Sequence, residues 1–254
     1  NPRVQVLGVQ QYGKEATLAN PDGSTSLLND RPPLVLNAVV HEASGGQYPV
    51  TVIVNHLRSL NDIDSIESGS DGWATTGERV RAKRVAQASY LAGLVNTLQQ
   101  ADANARIVLT GDFNAFEFND GYVDAMNVVV GTPSPDNATV VPGDGVDLVN
   151  PDLINLASIT EPSERYSFVF DGHAQSLDHV LVNEEMVVST SRIVPAHARI
   201  NADYPEVNRN LADSPSRLSD HDPVVTYLFP REVADLGVTA AIGTPRTART
   251  SETT

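Results

Sequence analysis

Short apolar runs in this chain repeatedly stop at a polar cluster, and this punctuation restricts the fold more than any other feature. Val54 leads into Asn55-His56-Leu57-Arg58-Ser59, and Thr110 into Gly111-Asp112-Phe113-Asn114-Ala115. Two more clusters are Ser176-Leu177-Asp178-His179-Val180 and Ser219-Asp220-His221-Asp222-Pro223, and a fifth is Asn29-Asp30-Arg31-Pro32-Pro33-Leu34. Short runs bounded by turn residues read as strands. Strand ends are rigid, so acids, amides and imidazoles placed there can converge at little entropic cost. Singly, an Asp-x-Asn is most often a turn bonding its own backbone. As an ordered set the clusters are far more specific.

Between them the chain alternates strands with one long helical pattern. Val4, Val6, Leu7 and Val9 suit a strand, and Asn20-Pro21-Asp22-Gly23 marks a turn. Residues 34–54, broken by Ser44-Gly45-Gly46, read as a hairpin. Polar, Gly-rich stretches at 61–77 and 131–151 are long loops, a frequent location for function. From 78 to 100, Val80, Val85, Ala88, Leu91, Leu94, Val95 and Leu98 recur at steps of three and four, which predicts a helix. Arg79, Arg81, Lys83 and Arg84 crowd its first half against the helix dipole. They are read either as a solvated face or as a phosphate-facing one. Residues 107–110, 166–170, 180–182 and 224–229 complete the strands. This mixed order implies α/β or α+β layers. After Pro230 the chain turns Ala/Thr/Ser-rich, so 231–254 is expected to be a linker or the start of a following module.

Composition narrows the functional classes. The 254 residues are 41% hydrophobic, enough to bury a core. No cysteine is present, which excludes a disulfide framework and a thiolate metal site and is compatible with export. A net charge of -15 argues against tight, sequence-independent coating of nucleic acid. It leaves room for an enzyme whose bound metal supplies local positive charge. No apolar run approaches the roughly 20 residues of a membrane span. The opening Asn1-Pro2-Arg3-Val4 lacks signal-peptide architecture and reads like the middle of a domain.

The Gly-Asp-Phe-Asn, Leu-Asp-His-Val-Leu and Ser-Asp-His-Asp-Pro-Val segments, in that order, resemble the endonuclease/exonuclease/phosphatase superfamily, the DNase I-like fold. Arg-Pro-Pro-Leu and Val-Asn-His-Leu-Arg-Ser resemble more narrowly its bacterial extracellular nucleases. The resemblance implies an α+β fold in which two β-sheets form a sandwich flanked by helices. It implies a metal-dependent phosphodiester hydrolase, secreted or at the cell surface, acting on DNA or RNA. The expected ion is Mg2+, with Mn2+ or Ca2+ as alternatives. Asp112 and Asn114 are expected beside the metal and scissile phosphate, Asp220 as a metal carboxylate and His221 as the adjacent imidazole. Asp178 is expected to orient His221. His56 is expected to contact phosphate or move a proton, and Arg31 and Asn114 to bind phosphate.

These roles suit the chemistry. Phosphodiester hydrolysis needs an activated water, stabilised equatorial oxygens and charge relief on the leaving oxygen. Mg2+ favours carboxylate and water oxygens and keeps an incomplete protein shell. An imidazole titrates near neutrality, and a carboxylate partner holds its tautomer. Which histidine is base and which acid stays open. So do the alternatives of a phosphatase, a sphingomyelinase-like phosphodiesterase or a non-catalytic binding module of a surface protein. His179 is read as a packing residue, and His173 as a less favoured neighbour of the site. Trp73 is expected to anchor its loop rather than stack a base.

The family pattern also calls for an upstream Asn and a metal-binding Glu. Glu15 and Glu42 stand in contexts that fit poorly. Residues 1–230 are therefore expected to be the C-terminal part of the domain. Its N-terminal part is then expected upstream or as a separate chain, and one sheet face or strand edge should lack its natural cover.

Overall fold

β-Branched residues and turns divide the first half of the chain as their spacing suggests. The computed structural model describes residues 2–209, 211 and 213–231, so the segment after 231 expected to be a linker lies outside the described residues. The elements are β1 (Val4–Gln11), β2 (Thr17–Ala19), β3 (Thr25–Leu27), β4 (Leu34–His41), β5 (Gln47–His56), α1 (Thr76–Ala101), β6 (Ile107–Asp112) and α2 (Ala125–Val130). They continue with β7 (Ile154–Asn155), β8 (Phe168–Phe170), β9 (His173–Gln175), β10 (Asp178–Val182), α3 (Glu184–Val188), β11 (Thr190–His197) and β12 (Val224–Pro230). A six-stranded sheet has the order β1-β4-β5-β6-β10-β7, while β11 and β12 pair as a separate two-stranded sheet. Among the described strands β5 and β6 alone run parallel, and α1 connects them, as a parallel pair requires. This is the mixed α+β architecture expected from the strand and helix signals.

One face of the large sheet is closed by helices over its centre. Val35, Ile53, Ile107, Leu109 and Leu181 meet Ala88, Leu91, Ala92 and Val95 of α1 and Met126, Val128 and Val129 of α2 in one core. Thr75 caps α1 by accepting from the Glu78 amide at 3.1 Å, which satisfies an otherwise unpaired N–H. The basic first half of α1 does not line the cleft, and its cations are engaged by neighbouring loops, with Arg79 still partly exposed. Lys83 pairs with Asp30 at 2.7 Å, Arg79 lies 3.6 Å from Asp71, and Arg81 donates to the Ile63 carbonyl at 2.6 Å. Arg84, 1% exposed, donates to the carbonyls of Arg58 and Asn114. These cations tie loops 28–33, 57–75 and 113–115 onto the helix. Trp73 likewise anchors its loop, donating from Nε1 to Asn20 Oδ1 at 3.2 Å.

The opposite face is only partly covered. Val108, Val180 and Val182 pack with Leu156 and Met186 and with Ile193, Val224 and Leu228 of the β11–β12 pair. Toward β1 the same face opens to solvent. Val9, Leu36 and Val52 are neighbours across β1, β4 and β5, as are Leu34 and Val54 across β4 and β5. Val6 and Val9 are 59% and 58% exposed, and Val54 and Leu34 are also exposed. β11 was not visible in the strand pattern because Pro195 interrupts it. In the fold Pro195 sits opposite Thr226 on a strand with a single neighbour, where a missing N–H is tolerated.

Candidate active site

Strand register, rather than sequence proximity, assembles the site. Along β5, β6 and β10, His56 stands opposite Asp112 and Asp112 opposite Asp178, so the three side chains form one row. Period-two alternation puts that row on the partly covered face, in line with Val108 and Val180. The preceding row, Asn55, Gly111 and His179, falls on the closed face. Gly111 has φ +140°, and a Cβ there would lie 2.0 Å from the Asn55 carbonyl oxygen. Glycine is what allows β5 and β6 to stay in contact up to the row.

His221 closes the row from the loop before β12. Its Nδ1 is 2.6 Å from Asp178 Oδ2, and Ser167 Oγ donates to the same oxygen at 2.6 Å. The carboxylate–imidazole contact expected of Asp178 and His221 is thus present, leaving Nε2 as the ring nitrogen able to exchange a proton. Burial of His221 opposes its charged form. The hydrogen bond and negative charge of Asp178, helped by Asp112 and Asp220, outweigh this and raise its pKa. His56 behaves oppositely. Burial lowers its pKa despite the attraction of Asp112, and the Arg31 guanidinium reinforces the shift, with Nη1 2.9 Å from Nε2. His56 Nε2 also lies 3.5 Å from Asp112 Oδ2. The two histidines are therefore biased toward different protonation states.

Asp112 is pushed above the usual carboxylate range, first by burial and then by the charge of Asp178 beside it. The Asn114 amide donates to Asp112 Oδ1 at 2.8 Å, and Asn114 Nδ2 donates to Oδ2 at 2.9 Å and to the Leu57 carbonyl at 3.1 Å. Asn114 thus lines the cleft while its side-chain donors are engaged with Asp112 and Leu57. Asp220 lines it too, but its carboxylate turns toward Ser219 and, at 3.7 Å, Arg209. The compact cluster of possible ligand atoms is instead Asp112, Asp178 and His221, within 4.8 Å of one another. All of these groups except Asp178 line one open cleft of about 870 Å³, together with Arg31, Arg58, Phe168 and Phe170.

The donor set suits a hard divalent cation. It is composed of carboxylates and imidazole, and two neighbouring carboxylates repel each other where a cation would relieve them. Within this cluster Asp178 and His221 hold one another, Asp112 accepts from Asn114 at both oxygens, and Asp220 is a further carboxylate on the cleft.

Three positioning residues receive no role in the site from the sequence alone. Ser167 holds Asp178, and Arg84 holds the backbone after β5 and β6. Burial brings the Arg84 pKa down to about 10. The third is Asp222, whose Oδ1 accepts from the amides of Ile200, Asn201 and Ala202, while Arg199 donates to Oδ2 at 3.1 Å. Asn201 Nδ2 in turn donates to the His221 carbonyl at 2.6 Å, so the 199–222 segment clamps the histidine. His179 is a packing residue, as read from the sequence. It is buried edge-on to Phe113, with Nε2 2.9 Å from the Ala115 carbonyl. His41, His173 and His197 do not line the cleft.

No family profile matches the chain, and neither does any curated protein sequence. Solved structures do match. Truncated Caenorhabditis elegans TDP2 aligns at a TM-score of 0.51 and 13% identity, covering 89% of this chain and 67% of that one. A humanized D. rerio TDP2 with 14 mutations aligns at 0.51 and 14%, covering 91% and 69%. An endonuclease/exonuclease/phosphatase family protein from Bacteroides thetaiotaomicron aligns at 0.45 and 16%, covering 89% and 64%. The likeness to the two TDP2 structures establishes the fold: this chain has the DNase I-like fold, and it spans about two thirds of their length.

Proposed function

We propose that the chain carries the catalytic row of a metal-dependent phosphodiester hydrolase, an extracellular nuclease acting on DNA or RNA. The observation that supports this reading best is the register row His56–Asp112–Asp178 closed by the Asp178–His221 hydrogen bond. A binding module has no need of an imidazole whose tautomer is held by a carboxylate beside a second, destabilised carboxylate.

Asp112 would hold Mg2+, and Asp220 would join it by turning from Ser219 and Arg209; the ion would polarise the phosphate and stabilise the leaving oxygen. The chain's own groups supply the rest. Asp178 keeps a proton of His221 on Nδ1, so Nε2 is the ring nitrogen that exchanges a proton at the cleft. Arg31 presents a guanidinium for the phosphate oxygens, and it adds to burial in lowering the His56 pKa. Asn114 and Arg84 hold Asp112 and the surrounding backbone in place. A plasmid-nicking assay with Mg2+ and with EDTA tests this reading. Mg2+-dependent nicking abolished by EDTA is expected, and metal-independent nicking, or none from the chain in its full-length context, overturns it.

The open half of the sheet face belongs to the same reading. Among the described strands β11 and β12 each have one neighbour, and the apolar surface around Val6, Val9, Leu34 and Val54 lies on the large-sheet face that they partly cover. Residues 1–230 would then be the C-terminal part of the domain, and strands from the N-terminal part would extend the β11–β12 sheet over that surface. Thermal unfolding of the 254-residue chain, alone and in an upstream-extended protein, tests this. The extension should raise Tm and protect the β11 and β12 amides from exchange. Equal Tm and exchange overturn it.

A further inference from the structure

We propose that Phe168 and Phe170 form a stacking platform for the base beside the scissile phosphate, so that the cleft accepts an unpaired nucleic acid strand. This rests on the hydrolase reading above and adds the form of substrate. Residues i and i+2 of a strand share a face, and β8 uses this to lay the two rings together, 6.3 Å apart and 17° from parallel. Phe168 continues the series to His221, with ring centroids 4.6 Å apart and planes inclined by 30°. The result is a three-ring ladder that starts at the proton-transfer imidazole and ends in solvent at Phe170.

The outer ring is 57% exposed, and both phenylalanines line the cleft with Arg31, Arg58 and His221. A lone exposed phenylalanine needs no explanation. This one extends a ladder that ends on a functional imidazole, and its hairpin is held by the site's own clamp. Ser167, the residue before β8, bonds Asp178 through its hydroxyl and Gln175 through its amide, and its carbonyl accepts from the Asp222 amide at 2.7 Å. The hairpin consists of three residue pairs, which would be marginal alone, so this anchoring fixes where the rings stand.

Substrate form follows from the chemistry of stacking. In a duplex both faces of each base are already covered by neighbours. A ring that stacks on a base therefore selects bases that are unpaired or drawn out of the stack. Stacking also does not depend on positive charge, which this chain has in deficit: 17 Lys and Arg against 32 Asp and Glu.

The test compares a single-stranded oligonucleotide with one of the same length carrying abasic spacers at the cleaved position, in Mg2+. Wild type should show a lower KM for the base-bearing strand, and Phe170→Ala should collapse that preference by roughly 5- to 100-fold, the scale of losing one stacked base. Phe170→Trp should restore it. Its indole emission, measured above the background of Trp73, the one native tryptophan, should be quenched by the oligonucleotide in EDTA, where turnover stops. An unchanged base-to-abasic ratio in Phe170→Ala, together with unquenched Phe170→Trp emission, overturns the platform while leaving hydrolysis standing. Quenching in a protein that hydrolyses neither strand supports the platform and removes the hydrolase reading.

Discussion

On the closed face of the six-stranded sheet, Val35, Ile53, Leu109 and Leu181 are at most 1% exposed under two helices. On the other face, the same strands present His56, Asp112 and Asp178 at one end, a partly filled core in the middle and exposed valines toward β1. The two faces share a backbone and differ in what lies against them. Apolar side chains matched by helices can exclude water entirely. A row that must meet substrate has to be left uncovered at its end, so its charged groups are held by hydrogen bonds from loops instead. The difference separates where stability comes from and where chemistry is placed, and it can be attacked from either side.

The largest expected effect is on chemistry. His221→Ala should lower turnover by about 10²–10⁴-fold, the usual contribution of a positioned acid or base, with substrate binding changed much less. Near-normal turnover in the nicking assay removes His221 from the mechanism. Leu109→Ala on the closed face should cost about 2–5 kcal/mol in chemical denaturation through its cavity. A loss below about 1 kcal/mol would show that this face does not dominate stability.

Acid should distinguish the faces by sign. His179 is buried on the closed face and its pKa is lowered from 6.5, chiefly by burial. The unfolded chain therefore takes up this proton first, and the contribution is lost as pH falls below about 6.5. The His221 pKa is raised, so its contribution is present below the ordinary value and lost as pH rises through the folded value. Between pH 7.5 and 5, His179→Gln should make the fall in Tm shallower and His221→Gln should make it steeper. The same slope in both variants contradicts the assignment. The smallest effect is expected at the open end. Val6→Thr should change the stability of the 254-residue chain by no more than about 0.5 kcal/mol, as for an ordinary surface position. A clearly larger loss in an upstream-extended protein would sharpen the comparison by showing that this surface becomes buried.

Local periodicity was enough to recover much of this molecule. A three-four repeat from Val80 to Leu98 yields α1, and β-branched runs ending in polar clusters yield β4, β5, β6, β10 and β12. Alternation along a strand is a property of the backbone, so the opposite directions of Asp178 and His179 follow without knowing their neighbours. Partners are another matter. Ser167 reaching Asp178, Asp178 reaching His221 across 43 residues and Arg84 reaching the Asn114 carbonyl depend on register between strands and on where two long loops return. Nothing in a residue's immediate sequence encodes those distances. The basic half of α1 makes the point plainly: the charges were visible in the sequence. Only the packed structure decided that they engage loops, because partners such as Asp30 for Lys83 and the Asn114 carbonyl for Arg84 come from segments distant in the chain.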